Sequence, residues 1–266
     1  MDTCAPCARL LPDERLDRIN ENLSLIQKKG GLTFGTDAYL LAAFARPAPA
    51  SVCVDLGAGS GVVSLLCLSR AKFRHACAVE IQEEYCDLIR RNAALNGMDA
   101  RLTALCRDVR ALSAAELDAP PSVVLSNPPY MPAGAGFSCS DERLETARRE
   151  RNGTISDFCA AAARLLSSGG LFYTVYRPDR MTELLCALRA VHLEPKRMLT
   201  VYPDTATPPC LILVESKKDA APSLRQAPPL IIYRDSAART YTDSMQRIYD
   251  TFSLEFLFEC GKEKRR

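Results

Sequence analysis

The sequence lacks most of what would place it in a membrane or outside the cell. No apolar run approaches the ~18 residues that a membrane-spanning helix needs. The first residues, MDTCAPCARLLPDERLD, lack the apolar stretch of a secretion signal, so a cytoplasmic location is expected. Net charge is scarce: 34 Lys and Arg stand against 32 Asp and Glu, a formal +2. That balance announces no nucleic-acid partner, and any basic surface has to be local. Histidine is nearly absent, and neither His75 nor His192 sits in a ligand-like cluster. Cys4-x-x-Cys7 has the spacing of half a zinc site, with no second half, so no metal is expected. No repeat of fixed period occurs. Cysteine, by contrast, is abundant at twelve. A disulfide framework suits a small secreted chain. Here Cys53, Cys67, Cys77 and Cys106 lie in apolar runs, where a reduced cysteine acts as a small hydrophobe.

What is present suits one large α/β domain or two small ones: 266 residues, 47% hydrophobic and 25% charged, enough for an ample core. Short β-branched or apolar runs alternate with helical patterns, which points to a mostly parallel sheet with helices on both faces. Strands are expected at 51–56, 75–81, 101–106, 122–126 and 171–176, with helices at 61–70, 83–95, 156–166 and 180–191. The runs 198–202 and 210–215 have no helix between them and read as an antiparallel hairpin at the sheet edge. That makes seven strands. Residues 1–50 form a leader with a helix at 37–45, residues 51–216 the core, and residues 217–266 an extension packed on the core or trailing from it. Within the extension, 217–229 reads as a surface crossing and 242–252 as a helix.

The first motif is Asp55-Leu56-Gly57-Ala58-Gly59-Ser60-Gly61, directly after a strand and opening a helix. Glycines there let the backbone turn sharply and approach a ligand. The dinucleotide fingerprint is G-x-G-x-x-G, and its last position here is Val62, which argues against a nicotinamide or flavin cofactor. Glu80, followed by Ile81, ends the second strand, where an acid can accept hydrogen bonds from both ribose hydroxyls. Asp108 and Val109 follow the third strand; an Asp there can take an adenine amine while an apolar neighbour covers the ring. Asp108 as a helix cap is the plainer alternative. All three motifs stand at carboxyl ends of neighbouring strands, where open α/β sheets bind ligands.

Asn127-Pro128-Pro129-Tyr130 follows the fourth strand, where the sheet order should reverse. A following proline pushes Asn127 into an extended conformation, and both prolines have fixed φ and no N–H. The Asn127 side-chain oxygen and the Pro128 carbonyl can therefore act as two rigid acceptors, with Tyr130 as a stacking face. That set suits a planar –NH2 attacking an activated methyl. Its lone pair is delocalised, so acceptors on both N–H groups orient it and stabilise the charge that grows on nitrogen.

The combination VDLGAGSG, AVEI, RDV and SNPPY resembles the Rossmann-like class I S-adenosylmethionine methyltransferases that act on amino nitrogens. With GGLTFGTDAYLLAAFA ahead of it and ETARRERNGT after it, the chain is similar to the bacterial tRNA(Val) adenine N6-methyltransferases over about residues 10–235. The resemblance implies S-adenosylmethionine as cofactor and an adenine beside the anticodon of tRNA as substrate. It places Phe34, Thr36 and Asp37 near the methionine end of the cofactor. Asp55, Gly57 and Gly59, with Ala58 and Gly61 in the same turn, would contact the methionine portion. Glu80 would meet the ribose, with Ile81 beside it in the cofactor pocket, and Asp108 and Val109 the adenine. Helix capping by Thr36 or Asp37 is the alternative there.

An anticodon-loop base is single-stranded and is splayed out at low cost. Tyr130 would stack on it, and Arg143, Arg148, Arg149 and Arg151 would reach phosphates. Residues 141–151 carry four Arg against four acids, so a solvated salt-bridged helix is the competing reading. A monomer is favoured. A protein-glutamine methyltransferase would carry a helical domain before the first motif, where only about 54 residues stand. A ribosomal guanine enzyme would show a duplicated domain, and a DNA adenine enzyme a longer recognition region. A non-catalytic RNA- or cofactor-binding module would have no use for an intact NPPY.

Overall fold

Parallel strands need cover on both faces, and the helical runs between them supply it. The computed structural model describes residues 10–29, 35–128 and 153–259. Strands β3 (Ala48–Leu56), β4 (Phe73–Glu80), β5 (Leu102–Cys106), β6 (Val123–Ser126) and β7 (Leu171–Tyr176) pair in parallel. β8 (Leu193–Tyr202) and β9 (Leu211–Lys218) form the expected antiparallel pair, with β9 inserted between β7 and β8. These seven run in the order β8-β9-β7-β6-β3-β4-β5. Two strands of two residues each, β10 (Arg225–Gln226) and β11 (Leu230–Ile231), add parallel pairing along β8. β10 falls in the stretch read as a surface crossing; two residues are too few to show a period.

Alternation along the strands splits the core into two layers. On one face α1 (Thr36–Phe44), α2 (Val62–Ser69) and α3 (Glu83–Leu95) cover Cys53, Ala76 and Ala78. On the other α4 (Ile155–Leu165) and α5 (Met181–Ala190) cover Val54, Leu56 and Val79. Thr154 caps α4 in a reciprocal pair with Asp157, one hydrogen bond running each way. Cys53, Cys67 and Cys77 are buried as expected, but Cys106 is half-buried, because it stands at the open end of β5. Among the described residues no helix is long and apolar enough to cross a membrane.

The leader holds a hairpin that periodicity did not reveal, β1 (Glu14–Asn20) with β2 (Leu23–Lys28). β2 is tied to α3 by side-chain amides. Asn92 accepts from Ile26 N at 2.7 Å and donates to Ile26 O at 3.1 Å, and its Nδ2 also reaches Ser60 O at 3.0 Å. One buried asparagine thus joins the leader, α3 and the glycine turn.

The C-terminal extension is part of the core. β12 (Tyr233–Asp235) and β13 (Thr240–Tyr241) lead into α6 (Asp243–Thr251) and α7 (Glu255–Glu259). Met245, Ile248, Phe252 and Phe258 join the layer that contains α1. Tyr39 of α1 lies 4.8 Å from the Tyr249 ring and 5.1 Å from Phe252, centre to centre. The end of α1 is held by the buried Lys72, whose ammonium donates to the carbonyls of Ala42, Ala43 and Ala45 at 2.6–2.9 Å. Its burial pushes the pKa down to about 8, so it stays charged at neutral pH where those carbonyls need a donor.

Candidate active site at the carboxyl ends of the central strands

β3 has β4 on one side and β6 on the other, so the strand order reverses beside it and a crevice opens beyond the carboxyl ends. The glycine turn fills that position. Gly57, Gly59 and Gly61 have φ of 71°, 54° and 81°, left-handed values that strain any residue with a Cβ. Gly57 N and Ala58 N donate to Val79 O at 2.9 and 3.0 Å, which pins the turn to β4. A Cβ on Gly57 would meet Phe158 Cε1 at 3.0 Å, and one on Gly61 would meet Ile89 Cγ1 at 3.2 Å. A Cβ on Gly59 would meet nothing within 4 Å. Two glycines are therefore demanded by packing, and the third borders open space.

Glu80 stands at the end of β4 and is buried. Its Oε2 accepts from Gly59 N at 3.0 Å, and its Oε1 from Ile81 N at 2.9 Å and Gln82 N at 3.0 Å. A carboxylate offers about four acceptor sites, so three amides leave about one for a hydroxyl. Ile81 is 38% exposed, an apolar face next to that acid. Val109 is buried instead, and its carbonyl is taken by Arg164 at 2.7 Å. Asp108 is gripped by Arg110, with contacts of 2.6–3.0 Å, and this pairing holds its carboxyl below the usual range. Asp55 is buried and bonded to the start of α2. Its Oδ2 accepts from Ser64 N at 3.2 Å and Ser64 Oγ at 2.9 Å. Burial pushes its pKa up to about 6, against the lowering effect of the Ser64 bonds.

Asn127 follows β6, whose end is locked to β3 by Ser126 Oγ donating to Leu56 O at 2.9 Å. Asn127 Nδ2 donates to Asp37 Oδ2 at 2.9 Å. The opposite amide orientation would set an oxygen against a carboxylate, so Asp37 fixes which way the amide faces. Asn127 Oδ1 is buried and has no hydrogen-bond partner among the described residues. A buried acceptor left without a donor costs ~1–3 kcal/mol, and such an orphan is common where a ligand completes the set. Asp37 sits in the first turn of α1, where the helix dipole favours an anion. Its Oδ1 accepts from Ala38 N at 2.8 Å. A Cβ on Gly35 would come within 2.5 Å of that Oδ1, so Gly35 makes room for the carboxylate. Gly35, not Thr36, is the residue before α1, and it offers no side-chain cap; Thr36 is the first helical residue. Pro128 is buried behind Asn127.

The structure thus brings together Asp37, the glycine turn, Glu80, Ile81 and Asn127 at one rim of the sheet. Phe34, Pro129, Tyr130, Arg143, Arg148, Arg149 and Arg151 lie outside the described residues, as do Cys4 and Cys7. Sequence reasoning did not foresee the roles of Gly35, Ser64, Asn92 and Phe158. A glycine two residues before a helical Asp was the one available signal.

The family model described as "Methyltransferase small domain" matches residues 28–191. A tRNA1(Val) (adenine(37)-N6)-methyltransferase of Bacteroides fragilis is 26% identical over 186 residues, 70% of this chain and 77% of the relative. The enzyme of the same name from Enterobacter sp. (strain 638) is 33% identical over 143 residues, 53% of this chain and 57% of the relative. In fold, the chain is similar to a predicted O-methyltransferase from Agrobacterium tumefaciens, with a TM-score of 0.65 and 22% identity, over 82% of this chain and 97% of that one. It is also similar to M. jannaschii TYW2 in complex with AdoMet, with a TM-score of 0.53 and 13% identity, over 77% and 87% of the two chains. With the family match spanning more than half of its length, the chain belongs to the methyltransferase small domain family, as a Rossmann-like class I enzyme that uses S-adenosylmethionine.

Proposed function

We propose that this methyltransferase transfers its methyl group to the exocyclic N6 amine of an adenine in tRNA, beside the anticodon. The observation that carries the reaction type is the buried Oδ1 of Asn127, without a partner among the described residues and held in one orientation by Asp37. The substrate class is supported by the names of the relatives, which are 26–33% identical.

The residues present fit the cofactor. Open space borders Gly59, Glu80 keeps about one acceptor site for a ribose hydroxyl, and Ile81 offers an apolar face to a base. The turn 57–61 would hold the methionine portion, with Asp37 close by. Asp55, at the end of β3 just before that turn, ties it to α2 through Ser64. When bound, S-adenosylmethionine supplies a methyl already activated by its sulfonium. The chain's own contribution is orientation: Asn127 Oδ1 and the Pro128 carbonyl accept the two N–H groups of the target amine and stabilise positive charge growing on its nitrogen. Asp37 holds the Asn127 amide in place before substrate arrives, so that acceptor needs no reorganisation as the charge appears. Tyr130 stacks on the splayed base, and the Arg-rich stretch 143–151 meets phosphates.

Incubation with methyl-labelled cofactor and total tRNA from cells lacking the gene tests this reading. Label is expected in tRNA, and mass spectrometry of the nucleosides is expected to show N6-methyladenosine. Label on protein glutamine, on guanine or on nothing would refute it.

A further inference from the structure

A second cavity lies on the other half of the sheet. In a doubly wound sheet each crossover brings a helix, but the β5-to-β6 connection, residues 107–122, contains only a three-residue 3-10 turn, Ala114–Glu116. Under it the structure leaves a cavity of about 480 Å³. Its floor is Val52 and Val54 of β3, His75 and Cys77 of β4, and Thr103 and Leu105 of β5. Register explains the set: Val52 pairs with His75, Val54 with Cys77, and Cys77 with Thr103, so alternate residues point to one face. Val52 is four residues from Leu56, about 13 Å along the strand from the methyl-transfer crevice at ~3.3 Å per residue.

The walls are charged. Arg74 and Arg101 stand side by side, with Arg101 Nε on Arg74 O at 3.3 Å and Nη2 on Phe73 O at 3.0 Å. Neither guanidinium has a carboxylate partner within 4 Å among the described residues. Asp118 and Glu116 also line the cavity; Glu116 is paired with Arg107 at 2.7 Å, and the charge of Asp118 is felt by His75 and Cys77. His75 Nε2 lies 3.2 Å from Thr103 Oγ1, a polar pair within an otherwise apolar floor. Burial lowers the pKa of His75, so the floor is neutral at physiological pH.

We propose that this cavity is a second ligand site, distinct from the methyl-transfer crevice, for a small amphiphilic monoanion of the aromatic-carboxylate type. Its flat apolar body lies on the valine and leucine floor, and its anion meets the Arg74 and Arg101 guanidiniums, whose forks suit a carboxylate. An N–H on the ring system faces Asp118. The assignment stands whatever the methyl acceptor proves to be.

The full chain is titrated with 1-anilinonaphthalene-8-sulfonate, an aryl anion with one N–H, under saturating S-adenosylhomocysteine. Saturable fluorescence is expected. Arg74→Glu, at an exposed position, should weaken it about tenfold, the scale of one charge-assisted contact. Ala119→Trp, which fills the cavity from its loop wall, should abolish it. The uncharged N-phenyl-1-naphthylamine should be indifferent to Arg74→Glu. The site is refuted by absent binding, by binding that appears only when S-adenosylhomocysteine is left out, or by equal binding in both variants. It is also refuted by sedimentation showing a dimer that Ala119→Trp dissolves, since a second copy would then cover this face. If Ala119→Trp fails to fold, the Arg74→Glu comparison between charged and neutral probes decides alone.

Discussion

Replacing Asp37 with alanine removes the group that orients Asn127, and its effect can be bounded. The lost contact is an amide N–H on a carboxylate at 2.9 Å. Hydrogen bonds to charged groups contribute ~1.5–3 kcal/mol, so the bias toward the productive amide orientation is worth roughly 10- to 150-fold. Without it the amide samples both flips and looser rotamers, and in many of them an –NH2 group meets the incoming amine donor to donor. Single-turnover transfer to tRNA should therefore slow within that range. Asp37→Asn, which keeps a neutral acceptor, should fall between variant and parent. Cofactor affinity, measured in parallel by calorimetry, should change little. A folded Asp37→Ala enzyme that turns over within twofold of the parent would refute the orienting role. A weakened cofactor with unchanged single-turnover rate would move Asp37 from the amide to the cofactor pocket.

Asp55 titrates near 6 in the folded chain and near 3.8 unfolded, so the folded state holds that proton more tightly. Its contribution is least harmful below pH 4, and stability drains as pH rises from 4 to 6, by on the order of 3 kcal/mol in full. Asp55→Asn should flatten the difference in melting temperature across that window and be at least as stable as the parent at pH 7.5; a parallel pair of profiles would contradict it. Gly57→Ala meets both a positive φ and the Phe158 ring, so its unfolding free energy, from denaturant melts, should fall by more than the ~1–2 kcal/mol of backbone strain alone. Gly59→Ala should lose only the strain in stability but weaken cofactor binding, because its methyl enters open space; equal affinities in calorimetry would count against that cradle. Arg148→Ala with Arg149→Ala should weaken tRNA binding and reduce the slope of log affinity against log salt by about one to two. Unchanged affinity at low salt would remove these arginines from the RNA surface.

Much of the architecture was legible because it rests on short-range physics. The five parallel strands are apolar runs ended by turn residues, and the left-handed glycines stand where a strand must turn at once into a helix. Asn127 was legible for the same reason: two prolines after a buried strand end leave little freedom. What was not legible depends on pairs far apart in sequence. Asp37 and Asn127 are 90 residues apart, and neither carries a periodic signal for the other. The hold of Ser64 on Asp55, from nine residues further on in the next helix, likewise carries no signal in the sequence. The β1–β2 hairpin escaped notice because Leu16 on it is 49% exposed, which blurs the alternation. The C-terminal extension could be read from its sequence as packed on the core or trailing from it; its aromatic residues join the layer around α1 and so steady the helix that carries Asp37.

The account turns on the Asn127 side chain as acceptor for the methylated amine. Single-turnover transfer by Asn127→Ala, with cofactor binding measured on the same preparation, tests it most directly. Transfer should fall by roughly 10²- to 10³-fold or more, the scale seen when one preorganised hydrogen-bonding group is lost, with cofactor affinity almost unchanged. Turnover near the parent rate in that variant would contradict the account.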